Sequence, residues 1–169
     1  VPHFEFLKKI TTRGVPKFTM PSPAMLHARG DRESIRSTYP DAAEFWADLT
    51  KCYREEIADL YKAGCRYLQI DDTTIAMFGD PKVQETFRKL GDDPKKDVAM
   101  YARAGKDAVR DVPDDMTVAL HTCRGNFKTA WVAEGGYDPV VEAMFSTNVD
   151  GYFMEFDSAR AGGFGPLGP

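Results

Sequence analysis

Cysteine is scarce. The 169 residues hold three, Cys52, Cys65 and Cys123, an odd set without the spacing of a disulfide framework. That usage suits a reducing compartment, so a cytoplasmic location is expected. No apolar run is long enough to span a bilayer, and no signal-peptide pattern is found. Excess charge of either sign is lacking too. Lys and Arg total 22 against 26 Asp and Glu, a formal net charge of −4, which gives no reason to expect nucleic acid or an anionic membrane as partner. Finally, no Gly-rich phosphate loop follows any β-type run, which weighs against a dinucleotide-binding open sheet. What is present is a chain 43% hydrophobic and 28% charged, the balance of a globular domain with a real core.

Taken in order, Phe4 to Ile10 reads as the end of a helix closed by Thr11, Thr12 and Gly14. Pro16 to Met20 reads as a short strand running into a Pro21-Ser-Pro23 loop. Ser22 and His27 are expected to be polar surface residues of that turn, and Gly30 to Pro40 an exposed loop. Asp41, with Glu44 three residues on, signals a helix start. Phe45, Trp46, Leu49, Tyr53, Ile57, Leu60 and Tyr61 then recur at the spacing of one buried helical face, and Gly64 suits the C′ position. Cys65 to Ile70 is the next strand, ending in Asp71 and Asp72. Neighbours on a strand alternate, so one of these two carboxylates should face any site there. Val83 to Leu90 and Val98 to Val109 read as helices. Met116 to Leu120 is a strand, Gly135-Gly136 a flexible joint, Tyr137 to Phe145 a helix, and Asp150 to Phe156 the last strand.

Strand and helix alternate four times, the mark of a parallel sheet made of βαβ units. The polar residues gather at the carboxyl ends of strands, where a (β/α)8 TIM barrel carries its chemistry. A full barrel takes roughly 200 residues or more. The expected fold is therefore α/β, about half of a (β/α)8 barrel. Residues 1–169 would form part of a single barrel domain, lacking the first strand and the last few.

The candidate site centres on Val118-Ala-Leu-His-Thr-Cys-Arg-Gly-Asn126. Residues two apart on a strand share a face, so His121 and Cys123 aim an imidazole and a thiol at one place. Both are good zinc ligands. Glu155, inside the apolar run Tyr152-Phe-Met-Glu-Phe156, needs a partner or a metal, because a carboxylate there is otherwise costly. The ordinary alternatives are packing or turn roles for His121 and Cys123, and a salt bridge from Glu155 to Arg124 or Arg160. For Asp71 the alternative is a helix cap or a lysine pair.

His121-Thr-Cys123, Phe153-Met-Glu155 and Ala63-Gly-Cys-Arg-Tyr-Leu-Gln-Ile-Asp71 together resemble the catalytic barrel of cobalamin-independent methionine synthase. They are still more similar to its shorter single-barrel relatives. The resemblance runs from about Lys17 to Leu167. It implies a zinc ion held by His121, Cys123 and Glu155, with a second cysteine from a later strand as fourth ligand. It also implies that Asp71 helps hold the amino-acid substrate. The chain departs from the family by ending before that later strand and by beginning after the first one. Asp72 stands where the synthases have Glu, and Thr73 where they have Pro.

The function this resemblance implies is zinc-dependent transfer of a methyl group from 5-methyltetrahydrofolate, a reduced folate, to a thiol such as homocysteine. A zinc-dependent epoxyalkane:coenzyme M alkyl transferase is the close alternative. A metal-free barrel similar to uroporphyrinogen decarboxylase, or an incomplete barrel inactive alone, are the others. The expected partners are a small-molecule thiol and a methyl donor.

Overall fold

A computed structural model describes residues 1–168. Its centre is a four-stranded sheet, β1 (Phe18–Pro21), β2 (Tyr67–Asp71), β3 (Thr117–Thr122) and β4 (Gly151–Met154). The strands lie in the order β1-β2-β3-β4, and every pair is parallel. Parallel neighbours need crossovers, and these run right-handed in nearly all proteins. With the order never reversing, such crossovers bring every connection back over the same face. A doubly wound sheet, by contrast, must reverse its strand order. The sheet stays open at β1 and β4 among the described residues. The expectation is met as far as four sequential parallel strands; Pro169 lies outside the described residues.

An N-terminal helix, α1 (Pro2–Ile10), precedes β1. Helices α2 (Pro23–Arg29), α3 (Arg32–Thr38) and α4 (Ala42–Lys62) link β1 to β2. Helices α5 (Thr74–Met77), α6 (Pro81–Lys89) and α7 (Pro94–Val109) link β2 to β3, and α8 (Val141–Phe145) precedes β4. The long α4 starts where its cap predicts, with Asp41 accepting from the Ala43 amide at 2.8 Å. It stops at Gly64, whose φ of +98° suits a residue without a Cβ.

Strand alternation divides the sheet into two unlike faces. Leu68, Ile70, Val118 and Leu120 point to the helices. There they join Phe4 of α1, Ile57 and Leu60 of α4, Ile75 of α5 and Tyr101 of α7 in the core. The opposite face carries Tyr67, Gln69, Asp71, His121 and Phe153, none of them buried. Phe153 is 47% exposed. Parallel sheets are ordinarily covered on both faces, so one bare face is the feature that most distinguishes this fold.

Several expectations are corrected. Pro21 does not open a loop but is the last residue of β1. It is paired with Asp71 on an edge strand, where a missing N–H costs little. No loop follows it, because Ser22 caps α2 at once, accepting from the Met25 amide at 3.1 Å, and Pro23 opens the helix. Ser22 is buried, and His27 is half-buried against Phe45, Trp46 and Tyr101. Neither is the surface residue expected. Gly30 to Pro40 is not a loop: it contains α3, capped by Asp31. That helix buries no residue and so shows no apolar stripe to read. An ion pair from Arg32 to Asp92 ties it down. Cys65 packs in the core, but Cys52 is exposed on α4.

Candidate functional site

In-register pairing sets Asp71 beside His121, and His121 beside Phe153. These three form one row across the bare face. Cys123 and Glu155 follow two residues on along the same parity, just past the ends of β3 and β4. Pairing thus places Asp71 and His121 on one face at the carboxyl end of the sheet, and Cys123 and Glu155 follow just beyond the strand ends. His121 and Cys123 are half-buried, and Cys123 is a free thiol.

Asp71 and Asp72 divide as alternation requires. Asp72 turns inward, 2% exposed, and accepts the amides of Thr74 and Ile75 at 3.0 and 3.1 Å, bracing the start of α5. Burial holds its carboxyl above the usual range, against the pull of those bonds and of Ser22. Asp71 faces the open side. It neither caps a helix nor pairs with a lysine. Its Oδ1 accepts from Gln69 Nε2 at 2.8 Å, and Gln69 in turn accepts from Lys17 Nζ at 2.9 Å. The Lys17 ammonium also sits 5.5 Å from the Tyr67 ring and 5.7 Å from the Phe153 ring.

Glu155 is held by a set of donors. Its Oε2 accepts the Arg124 amide at 2.7 Å, and its Oε1 accepts Asn126 Nδ2 at 3.0 Å and Arg160 Nη2 at 2.5 Å. Burial works against its ionised form. The bonds from Asn126, the Arg124 amide and Arg160, with the Arg160 charge, outweigh burial and hold the carboxyl below its ordinary range. The Glu155 amide donates to Tyr137 Oη at 2.9 Å, and that hydroxyl reaches the Thr122 carbonyl at 3.4 Å, tying the ends of β3 and β4 together. Arg124, fully buried, stacks on the Tyr137 ring at 3.9 Å and donates to the carbonyls of Gly135 and Ala161.

Gly135 and Gly136 are therefore not a flexible joint. Gly135 has φ +115°, and a Cβ there would stand 2.7 Å from the Gly79 carbonyl oxygen. Tyr137, Asn126 and Gln69 escaped the reading of the sequence. Only Gln69 had a usable signal, its parity with Asp71.

The three proposed ligands fit a divalent metal by chemistry, since imidazole, thiolate and carboxylate are all zinc donors. They are not drawn together: among the described residues no three His, Cys, Asp or Glu side chains stand close enough to hold a metal ion. The carboxylate lies one residue from Cys123, on the Arg124 amide, with its other oxygen engaged by Asn126 and Arg160. A large concavity lies elsewhere. It is a groove of about 610 Å³ between α4 and the turn after α7, lined by Arg54, Tyr61 and Val112. Its polar wall is already paired through Arg54 and Asp111, and it is remote from the strand ends.

Comparison with known proteins bears on this arrangement. No family model matches the chain. The chain is 44% identical over 165 residues to the uncharacterized protein YxjH of Bacillus subtilis strain 168. It is 43% identical over 167 residues to the uncharacterized protein YxjG of the same organism. Both matches cover 97% of this chain and 43% of the relative. A crystal structure from Listeria monocytogenes, assigned provisionally as a vitamin-B12 independent methionine synthase, superposes with a TM-score of 0.73 at 36% identity. That match covers 92% of this chain and 43% of the Listeria chain. The chain thus spans less than half the length of each of these relatives.

Proposed function

We propose that this chain contributes part of a (β/α)8 barrel that transfers a methyl group from 5-methyltetrahydrofolate to a thiol such as homocysteine, with zinc as cofactor. One observation supports the reading: Asp71 and His121 are paired on the bare face, and Cys123 and Glu155 follow just past the carboxyl ends of the same three consecutive parallel strands, where barrels keep their chemistry. The likeness to the Listeria structure supports the same class.

His121, Cys123 and Glu155 would hold the metal. Bound there, zinc makes a substrate thiol reactive at neutral pH by favouring its thiolate, which an unassisted thiol of pKa near 8.5 mostly lacks. Asp71 orients the substrate's ammonium by a charge-assisted hydrogen bond. Gln69, already bonded to Asp71 Oδ1, fixes which carboxylate oxygen is left for that task. An amino-bearing thiol suits Asp71 better than coenzyme M, which has no ammonium to offer it.

The deciding experiment is metal analysis of the full-length protein beside a Cys123→Ser variant. About one zinc per barrel is expected in the first and little in the second. Stoichiometric zinc in the variant rules out the ligand assignment. Methyl transfer to homocysteine, run beside epoxide with coenzyme M, then separates the substrate classes.

A further inference from the structure

Arg160 is placed unlike an ordinary salt-bridge partner. It and Glu155 are 12% and 8% exposed, so the pair is largely out of water. Its guanidinium lies 4.7 Å over the Trp131 ring, which holds it there whichever carboxylate it meets. It has a second anion within reach: both Asp157 oxygens lie 3.5 Å from Nη2, and Asp157 is 61% exposed. Its Nη1 is buried without a hydrogen-bond partner. One arginine thus stands between two carboxylates, one a proposed metal ligand and one in solvent, and leaves part of its donor capacity unused.

A guanidinium and a divalent cation repel each other strongly when they share one carboxylate in a site of low dielectric. Glu155 can serve either, but serving both is costly. We propose that Arg160 is an exchangeable counter-ion: it holds Glu155 in the metal-free protein and passes to Asp157 when a divalent cation binds His121, Cys123 and Glu155. This rests on the ligand assignment proposed above and adds to it a residue that sets metal affinity. No bond is made or broken covalently; one ion pair is traded for another, and the net charge of the site rises by that of the metal less any proton lost from Cys123.

The test is cobalt(II) titration of the chelator-stripped full-length protein, read by thiolate-to-cobalt charge-transfer absorption, with zinc affinity from competition against a chromophoric chelator. Arg160→Gln is expected to bind metal about tenfold or more tightly, because no ion pair opposes capture of Glu155. Asp157→Asn is expected to bind several-fold more weakly, because the displaced guanidinium loses its alternative. Arg160→Lys should stay near the unaltered protein. Damage to the fold would weaken binding, so a gain in Arg160→Gln is not explained by it. Equal or weaker binding in Arg160→Gln overturns the exchange and makes Arg160 a fixed support of the carboxylate. A full-length protein that takes up no metal, or a Cys123→Ser variant that binds as well, overturns the ligand assignment itself and the exchange with it.

Discussion

His27 and Asp97 show what partial burial does to single charges in this fold. The His27 ring is packed against Trp46 at 4.9 Å and Tyr101 at 5.7 Å, with Nδ1 3.0 Å from the Tyr101 hydroxyl. Burial, then the Arg32 charge, lowers its pKa to about 4, with Asp92 opposing and Arg36 adding a little. Asp97 is 8% exposed with an unpartnered Oδ2. Burial, then Asp92, raises it to about 6, with Arg32 opposing and Asp93 adding. Between pH 4 and 6.5 the unfolded chain binds more protons at His27 than the folded one, so that residue's contribution to stability grows with pH. Between pH 3.8 and 6 the folded chain binds more at Asp97, so its contribution falls with pH. The two contributions therefore oppose each other. Asp97→Asn should unmask the His27 slope, the urea midpoint dropping as pH falls from 6.5 to 4. His27→Gln should do the reverse, the midpoint rising as pH falls from 6 to 4. Each slope should amount to ~1–2 kcal/mol after allowance for solvent screening. If adding His27→Gln to Asp97→Asn leaves that variant's pH profile unchanged, His27 is not held neutral.

Elements with a chemical marker at their ends were legible in the sequence; those held by distant contacts were not. Asp41 and Gly64 bracket α4 because capping is local and sequence-coded. Helix α3 was invisible because it has no buried side and depends on an aspartate sixty residues away. The glycines misled in the opposite direction. Gly136 suggests flexibility by composition, yet it and Gly162 bring two backbones so close that a Cβ on Gly162 would stand 2.6 Å from the Gly136 Cα. Gly162 also has φ +79°. Gly162→Ala should therefore lower stability by ~2 kcal/mol or more. It should also disturb the Ala161 carbonyl that Arg124 binds. Gly163, with open space around it, is the control: Gly163→Ala should leave the melting temperature almost unchanged. Equal melting points for the two variants would mean that the loops are not packed as described.

At the scale of the molecule, the period-two alternation of strands revealed which strand residues share a face, and so put Asp71 beside His121. The ordinary alternative for Glu155, a salt bridge to Arg160, is the contact formed here; alternation alone does not give it, because it depends on how the loop after β4 folds back. The same alternation leaves Tyr67 and Phe153 on a face that nothing described here covers. If further strands close a barrel over that face in the full-length protein, Phe153 becomes interior there and stays half in water in residues 1–169 alone. Phe153→Asp then has opposite consequences in the two settings. In the 169-residue chain the new carboxylate lies within reach of Lys17, which sits 5.7 Å from the Phe153 ring. It also removes exposed apolar surface, so stability should change by less than ~0.5 kcal/mol and solubility should improve. In the full-length protein the same change buries a charge in place of an aromatic ring and should cost ~3 kcal/mol or more. Urea denaturation of both forms measures the difference. Equal, small effects in both would mean that the bare face is bare in the whole protein too, and the barrel would have to be abandoned.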